Sequence, residues 1–305
     1  MAFAQGSRSG LSYITEVTFG TTPAGNFTPL PINTHSINLT KDRVAGNEIR
    51  PDRIPRVDRH GNRQIGGDIV GDLRQGAWDD FIAAAMLSDW ASDDTIGVGT
   101  TPKFFSIEDA FNDVAQYRLF TGCTVSTLNI SVAPNQMVTS TFGIVGKDLT
   151  ISGTGKTLNT LTTTQPFDAY SGDLFLQDAG STNSAVTSIT SIDFTINNSF
   201  NPTFVIGDDS TPQLEYGRAE VEGTITAYFE DASLANRFLN ETESELEFSV
   251  NDPTGLSPYT FTFPRIKING SDVPLENPQS RVITIPFVAL FDSTLGTNLQ
   301  ITRTS

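Results

Sequence analysis

Hydrophobic and polar residues alternate along several segments of this chain, as in β-strands that bury one face. In the clearest segment, residues 220–229, one face carries Val221, Ile225, Ala227 and Phe229, and the other carries Glu220, Glu222, Thr224 and Thr226. Similar alternation predicts strands at 189–196, 245–250, 259–263 and 299–301. These segments are rich in β-branched and aromatic residues. The pattern predicts a mainly β fold.

Helical spacing of apolar residues occurs at only two places. Trp78, Phe81, Ile82, Ala85 and Met86 recur at the spacing of one helix face, which predicts an amphipathic helix over 78–86. A second, shorter helix is predicted from about Asp231, a suitable N-cap, with Leu234, Phe238 and Leu239 on one face. Each helix is expected to cover the open face of a sheet, which is the usual role of such a helix beside strands.

The two halves of the chain carry related patterns. Residues 64–69 (QIGGDI), followed by the first helix, align without gaps on residues 220–225 (EVEGTI), followed by the second. Residues 36–40 (SINLT) likewise match 191–195 (SIDFT). Three matches in one order predict an internal duplication. We therefore expect a first domain at 1–150, a linker rich in Thr, Ser and Gly at 151–168, and a second domain at 169–305.

Charge is unevenly distributed along the chain. The formal net charge is -16, which disfavours non-specific attraction to nucleic acid or anionic lipid. Residues 41–63 differ, because they hold seven basic and four acidic side chains. A basic segment in an acidic chain suits a surface that contacts other copies of the same protein.

Sequence motifs for catalysis, metals and cofactors are weak or missing. A single cysteine, Cys123, and two histidines, His35 and His60, cannot build a Cys/His zinc site. The segment 153–157 (GTGKT) lacks the first glycine of a phosphate-binding loop, because Thr150 stands there. No signal peptide or membrane span is apparent, so we expect a soluble protein made in the cytoplasm, with no catalytic residues, metal or cofactor.

Several segments of the first half resemble the tail tube proteins of long-tailed, siphovirus-like bacteriophages. They are 12–23 (SYITEVTFGTTP), 76–81 (GAWDDF), 104–108 (FFSIE), 117–130 (YRLFTGCTVSTLNI) and 141–147 (TFGIVGK). The resemblance implies two tandem β-sandwich domains, each with a flanking α-helix, whose sheets join between subunits into a ring-shaped β-barrel. Six such domains form a ring in this family, so a chain with two domains predicts a trimeric, pseudo-sixfold ring. A hexamer with decorating second domains is the alternative.

The resemblance also implies partners and a location. Stacked rings would form the tail tube of the virion, assembled in the host cytoplasm, with the tape-measure protein and the terminator and tip proteins as further partners. Genomic DNA would pass through the lumen without specific binding. We hypothesise that 41–63 is a long hairpin loop that contacts the neighbouring ring through Arg50, Arg53, Arg56 and Arg59, because its basic excess would meet an acidic surface.

Two other classes of function remain possible from the sequence. All-β, Thr-rich domains also serve as carbohydrate-binding or adhesin-type decoration proteins of virions. The chain has only two Trp and six Tyr for a sugar-binding platform. A hydrolase of cell-wall or capsule polymers would need two carboxylates at a defined separation, and the sequence singles out no such pair.

Overall fold

The computed structural model describes residues 3–52, 54, 56–170, 174–178, 189–229, 233–255, 258–272 and 280–304. Strands dominate these residues, which confirms the predicted mainly β class. The first half contains a short 3-10 helix at Gly6–Arg8, the helix α1 (Asp79–Ala85) and the strands β1 (Ser9–Glu16), β2 (Thr28–Leu30), β3 (Thr34–His35), β4 (Asn38–Ala45), β5 (Asp58–Asp72), β6 (Thr95–Gly97), β7 (Phe104–Phe111), β8 (Gln116–Val132), β9 (Thr139–Gly146) and β10 (Asp148–Ser152). The second half contains α2 (Ser233–Leu239) and the strands β11 (Leu174–Asp178), β12 (Ile189–Asn197), β13 (Asn201–Pro202), β14 (Leu214–Glu215), β15 (Glu220–Tyr228), β16 (Ser244–Val250), β17 (Tyr259–Ile268), β18 (Val282–Ala289) and β19 (Gln300–Arg303).

One layer of eight antiparallel strands runs through both halves, in the order β4–β5–β9–β8–β12–β15–β18–β17. We call it the front layer. The strands β8 and β12 join the halves, with Leu128 opposite Ile196 and Ile130 opposite Phe194. The described strands form no closed barrel, because they extend the layer from β4 to β17 without joining its two ends.

Behind the front layer, each half has a second layer. The long strands β8 and β17 belong to both layers, since each changes partners along its length. In the first half the second layer is β2–β1–β7–β8–β10. In the second half it is β11–β16–β17–β19, and β6 of the first half extends it by pairing with β19. The arrangement is that of a β-sandwich, in which two sheets bury their facing side chains.

The two halves repeat the same strand pairing. Strands β5, β9 and β8 pair in the order in which β15, β18 and β17 pair. The register also repeats: Gly67 lies opposite Ile144, as Gly223 lies opposite Phe287. Asn38, opposite Gly66, corresponds to Thr195, opposite Glu222. The sequence match of 36–40 with 191–195 is therefore wrong by two residues, although it keeps the same side chains on the same face.

A glycine occupies the equivalent position in both halves for the same reason. A Cβ atom on Gly67 would lie 2.5 Å from the carbonyl oxygen of Ser36, and one on Gly223 would lie 2.6 Å from that of Asp193. Distances this short leave no room for a side chain at the point where the backbones of the two neighbouring chain segments approach each other.

Helix α1 is shorter and more buried than its sequence pattern predicts. Trp78 is its N-cap and not part of the helix, and the side chains from Phe81 to Ala85 are all buried. Strand β8 lies against the helix, and the hydroxyl of Tyr13 donates a hydrogen bond to Asp80 over 2.8 Å. Asp79 accepts from Tyr259 and forms an ion pair with Arg303, so residues of the second half also cover α1.

The second predicted helix is present as α2. Its predicted N-cap, Asp231, and the side chain of Leu234 lie outside the described residues. Phe238 packs against the core as predicted, but Leu239 is exposed. The apolar face of α2 is thus narrower than the sequence pattern indicates.

Buried side chains of both halves form one contiguous core that includes Phe142, Phe194 and Phe263. The segment 151–168, predicted as a linker, lies along the first half: Phe27 donates its N–H to Thr157 and accepts from the N–H of Asn159, both over 2.8 Å. Phe167 is fully buried. The proposed boundaries of the two domains stay a prediction.

Candidate functional site

The front layer has one face in the core and one polar face. Along β12, the buried side chains of Ile192, Phe194 and Ile196 alternate with partly exposed polar ones. The neighbouring strands alternate likewise between buried and more exposed side chains, and their exposed face also carries the apolar residues Val70, Val145, Val282, Pro286 and Val288. We define the polar face by Asp68 and Asp72 on β5, Thr127, Asn129 and Ser131 on β8, Thr139 and Thr141 on β9, Ser191, Asp193 and Thr195 on β12, Glu220, Glu222, Thr224 and Thr226 on β15, and Thr284 on β18.

The charge of the polar face is negative. Carboxylates stand at Asp68, Asp72, Asp193, Glu220 and Glu222, and the segments 64–72, 127–131, 139–145, 191–197, 220–228 and 282–288 of the six inner strands contain no lysine or arginine. On the outer strand β17, Lys267 shares this face, because it lies opposite Val288, and it forms an ion pair with Glu241 over 2.8 Å. Of the five carboxylates, only Glu220 has an ion pair among the described residues, with Arg218 at 2.6 Å on the exposed surface. A wide strip of hydroxyl and amide groups carrying unneutralised carboxylates repels polyanions.

Both ends of the front layer are open. Strand β4 pairs with β5, and its other edge has no partner within the described part of the chain. At the opposite end, the chain beyond β17 continues alongside β18, where Asn269 donates its N–H to Pro286 and Asp272 exchanges backbone hydrogen bonds with Thr284. The outer edge of residues 269–272 likewise lacks a strand partner among the described residues. Unpaired strand edges invite another strand.

Two long loops leave the same end of the front layer. The first loop, residues 46–57, connects β4 to β5, and the second loop, residues 198–219, connects β12 to β15. Arg63, next to the first loop, donates its N–H to the carbonyl of Asp209 over 2.8 Å, and its guanidinium lies 3.0 Å from the carboxylates of both Asp209 and Asp148. The second loop therefore lies against the first residues of β5, which follow the first loop.

Of the predicted contact residues, Arg50, Arg56 and Arg59 are described, and they do not form a free basic cluster. Arg50 forms an ion pair with Glu48, and Arg56 forms one with Asp52, whose pKa is lowered by the hydrogen bond. Arg59 lies at the start of β5, next to 204–209, and has no ion pair among the described residues. Arg53 lies outside the described residues. Local pairing thus neutralises part of the basic excess.

Both loops also carry exposed apolar side chains, which the sequence pattern did not reveal. Ile49 and Ile206 are fully exposed, and Ile54, Val57 and Val205 are about half exposed. Large apolar side chains clustered at an exposed surface mark contact sites. Their signal in the sequence was the occurrence of isoleucine and valine between charged residues of the first loop.

Two other kinds of site are not found among the described residues. Among the described residues, no group of three or more His, Cys, Asp or Glu side chains is placed to bind one metal ion. The helices of the described residues are all too short or too polar to cross a bilayer.

Comparisons with known proteins identify the family. The family model described as phage tail tube protein matches residues 6–289, which is nearly the whole chain and includes both halves of the front layer. No curated protein matches the sequence. A match of this extent shows that this chain belongs to the phage tail tube protein family and is a structural component of the virion tail.

Proposed function

We propose that copies of this chain join edge to edge into rings, and that stacked rings form the tail tube through which phage DNA is ejected into the host. The observation that supports this proposal best is the front layer, whose edges at β4 and at residues 269–272 have no strand partner among the residues that the structure describes. Pairing of these edges between copies would satisfy their backbone groups and close the layer into a barrel, which has no free edges.

The proposed ring contains three chains. The repeated pairing and register of the two halves support a duplicated module, with domains at 1–150 and 169–305. Each chain would then supply two of the six modules in a pseudo-sixfold ring. A ring of six chains, with the second module outside the wall, is the alternative. The mass of an isolated ring distinguishes three chains from six.

We assign the polar face to the channel. In a closed layer, one face must enclose the lumen, and the opposite face of this layer is occupied by the hydrophobic core. Carboxylates and hydroxyls would repel or weakly contact the DNA backbone, so the duplex would slide without being held. During assembly the same lumen would contain the tape-measure protein, and terminator and tip proteins would cover the ends of the tube.

Negative-stain electron microscopy of the purified protein tests the proposed function. We expect rings with a central hole, or tubes made of stacked rings. Ring stacking is a head-to-tail contact that never closes, so tubes of variable length are expected in the absence of other tail proteins. A protein that stays a monodisperse monomer at high concentration would refute the proposal and favour the carbohydrate-binding alternative.

Stacking of rings is proposed to depend on the two loops. Their exposed isoleucine and valine side chains would be buried against the neighbouring ring, and Arg59 would supply a charged contact at the margin. Burial of apolar area yields roughly 25 cal/mol per Å². Repeated around a ring, even a small apolar contact at each loop pair would stabilise stacking.

We expect the double substitution Ile49→Asn and Ile206→Asn to leave rings intact and prevent long tubes. Both side chains are fully exposed, so the change should alter the free energy of unfolding by only about 0.5 kcal/mol or less. Tube length in micrographs and the sedimentation of assemblies are the measurements.

A charge variant serves as the comparison. Replacing Arg50, Arg53 and Arg56 with glutamate tests the electrostatic hypothesis, and we expect shorter tubes at low salt. If the isoleucine variant forms tubes of normal length while the arginine variant does not, charge and not apolar burial holds the rings together. Normal tubes from both variants would refute the assignment of the loops.

A further inference from the structure

We propose a specific register for the contact between chains: residues 269–272 of one copy pair antiparallel with residues 38–41 of the next, as β8 pairs with β12 inside the chain. This inference rests on the proposed function, because it specifies the junction that closes the ring. The partner is therefore a second copy of this protein.

The internal junction provides the template. Thr127, Leu128 and Asn129 lie opposite Asn197, Ile196 and Thr195, respectively. Just before this pairing begins, β8 has a bulge between Val125 and Thr127, and the carbonyl of Ser126 accepts the N–H of Asn198 over 2.9 Å. The front layer thus already contains one complete junction between the two halves.

Residues 269–272 correspond to Ser126–Asn129 by their pairing with the adjacent strand. Thr124 and Val125 lie opposite Val145 and Ile144, and Lys267 and Ile268 lie opposite the equivalent residues Val288 and Phe287. Beyond this point, Asn129 lies opposite Thr141, and Asp272 lies opposite the equivalent Thr284. Counting back, Asn269 takes the place of Ser126 at the bulge.

Strand β4 corresponds to β12 in the same way. Asn38 lies opposite Gly66 as Thr195 lies opposite Glu222. Lys41 therefore takes the place of Asn198. The N–H of Ser36 donates to the carbonyl of Asp68 over 2.8 Å, so the alternation of an antiparallel ladder directs the backbone groups of Leu39 and Lys41 away from β5. These are the groups that the next copy would bind.

The register follows from these two equivalences. Asp272 would lie opposite Asn38, Ser271 opposite Leu39, and Gly270 opposite Thr40, with the carbonyl of Asn269 accepting the N–H of Lys41.

The side chains suit this register. At the internal junction the amide of Asn129 donates to the hydroxyl of Thr195 over 3.0 Å. At the proposed junction the amide of Asn38 would donate to the carboxylate of Asp272. The donor would then lie on β4, the equivalent of β12, and the acceptor on the extension of β17, the equivalent of β8.

Disulfide cross-linking tests the register. Asp272 and Asn38 would form a non-hydrogen-bonded pair, whose Cα atoms lie roughly 4.5 Å apart, within the range of a disulfide. In assembled rings of the Asn38→Cys, Asp272→Cys variant, mild oxidation should link most chains covalently into species that end at three chains on a non-reducing gel. Cys123 should not contribute, because it is buried and burial raises the pKa of its thiol.

The internal junction supplies a matched control. The Asn129→Cys, Thr195→Cys variant has the equivalent geometry and should form its disulfide within one chain. The two introduced thiols would be lost, and the protein would still migrate as a single chain on the non-reducing gel. If rings or tubes are visible and the control oxidises, but the Asn38→Cys, Asp272→Cys chains stay unlinked, the proposed register is wrong and the proposed function stands. If neither rings nor tubes form, the proposed function fails and this inference fails with it. A ladder that ends at six chains would support the register and refute the three-chain ring.

Discussion

Replacing Asp68, Asp193 and Glu222 with lysine should convert a tube that does not retain DNA into one that binds it strongly at low salt. The three carboxylates lie on the polar face of the front layer, and within the described residues none of them has an ion pair to lose. Each substitution changes the local charge by two units. Lysines that neutralise DNA phosphates release counterions, so a DNA molecule with about 6–10 phosphate contacts would lose roughly 10³–10⁵ in affinity between 50 and 200 mM salt.

The measurement is the retention of DNA by sedimented tubes as a function of salt. Linear duplex DNA can enter a tube from its ends, whereas closed circular DNA cannot. We therefore expect the lysine variant to retain linear DNA and little circular DNA if the polar face lines the lumen. Equal retention of both forms would place the three residues on the outside of the tube.

A neutral variant shows whether the retention of DNA comes from its attraction to the lysines or from the removal of the carboxylates that repel it. The changes Asp68→Asn, Asp193→Asn and Glu222→Gln remove the negative charges without adding phosphate contacts, so these tubes should retain little DNA. In phages that carry the lysine variant, ejection of DNA should be slower than in the parent. Lysine tubes that bind no more linear DNA than the parent tubes, at any salt concentration, would contradict the assignment of the polar face to the channel.

The strands β12, β15, β16, β17 and β19 of the second half could be predicted from the sequence because apolar and polar residues alternate along them. At β15, Val221 and Ile225 are buried and Glu222 is exposed, so the alternation is visible in the residues themselves. Of strand β4, the sequence indicated only the first residues, through the match of 36–40 with 191–195. Leu39 packs against the core, but the residues from 41 onward are exposed and mostly polar, and therefore look like part of a loop.

Other features depend on contacts between distant parts of the chain. The sequence pattern of α1 predicted one apolar stripe, but the second half covers the helix as well, through Arg303 and Tyr259, and no local pattern announces that contact. The pairing of β8 with β12, which makes the front layer continuous, likewise has no local signature. The polar face and the exposed Ile49 and Ile206 become apparent as surfaces only once these strands are placed.

Substitution of Trp78 with alanine should destabilise the first half more than any surface change considered above. Trp78 is fully buried, stacks on Phe142 with ring centroids 5.0 Å apart, and donates its indole N–H to the carbonyl of Asp72 over 3.0 Å. Its ring also fills the space beside Gly71, where a Cβ atom would lie 2.3 Å from it. Loss of a large buried aromatic side chain costs about 3–5 kcal/mol, a large part of the roughly 5–15 kcal/mol that stabilises a typical protein.

The urea midpoint of the unassembled protein measures this effect, since assembly would add its own stabilisation. Two variants provide the comparison. Trp78→Phe keeps an aromatic ring against Phe142 and should lose much less stability than Trp78→Ala. Trp90→Ala removes the chain's other tryptophan, which is only partly buried and lies over the guanidinium of Arg303 at 4.4 Å, so it should also cost less.

Because Trp78 connects α1 to the strands β5 and β9 of the front layer, its loss should abolish rings as well. A Trp78→Ala protein that unfolds at the parental urea midpoint would show that this contact does not hold the helix on the sheet.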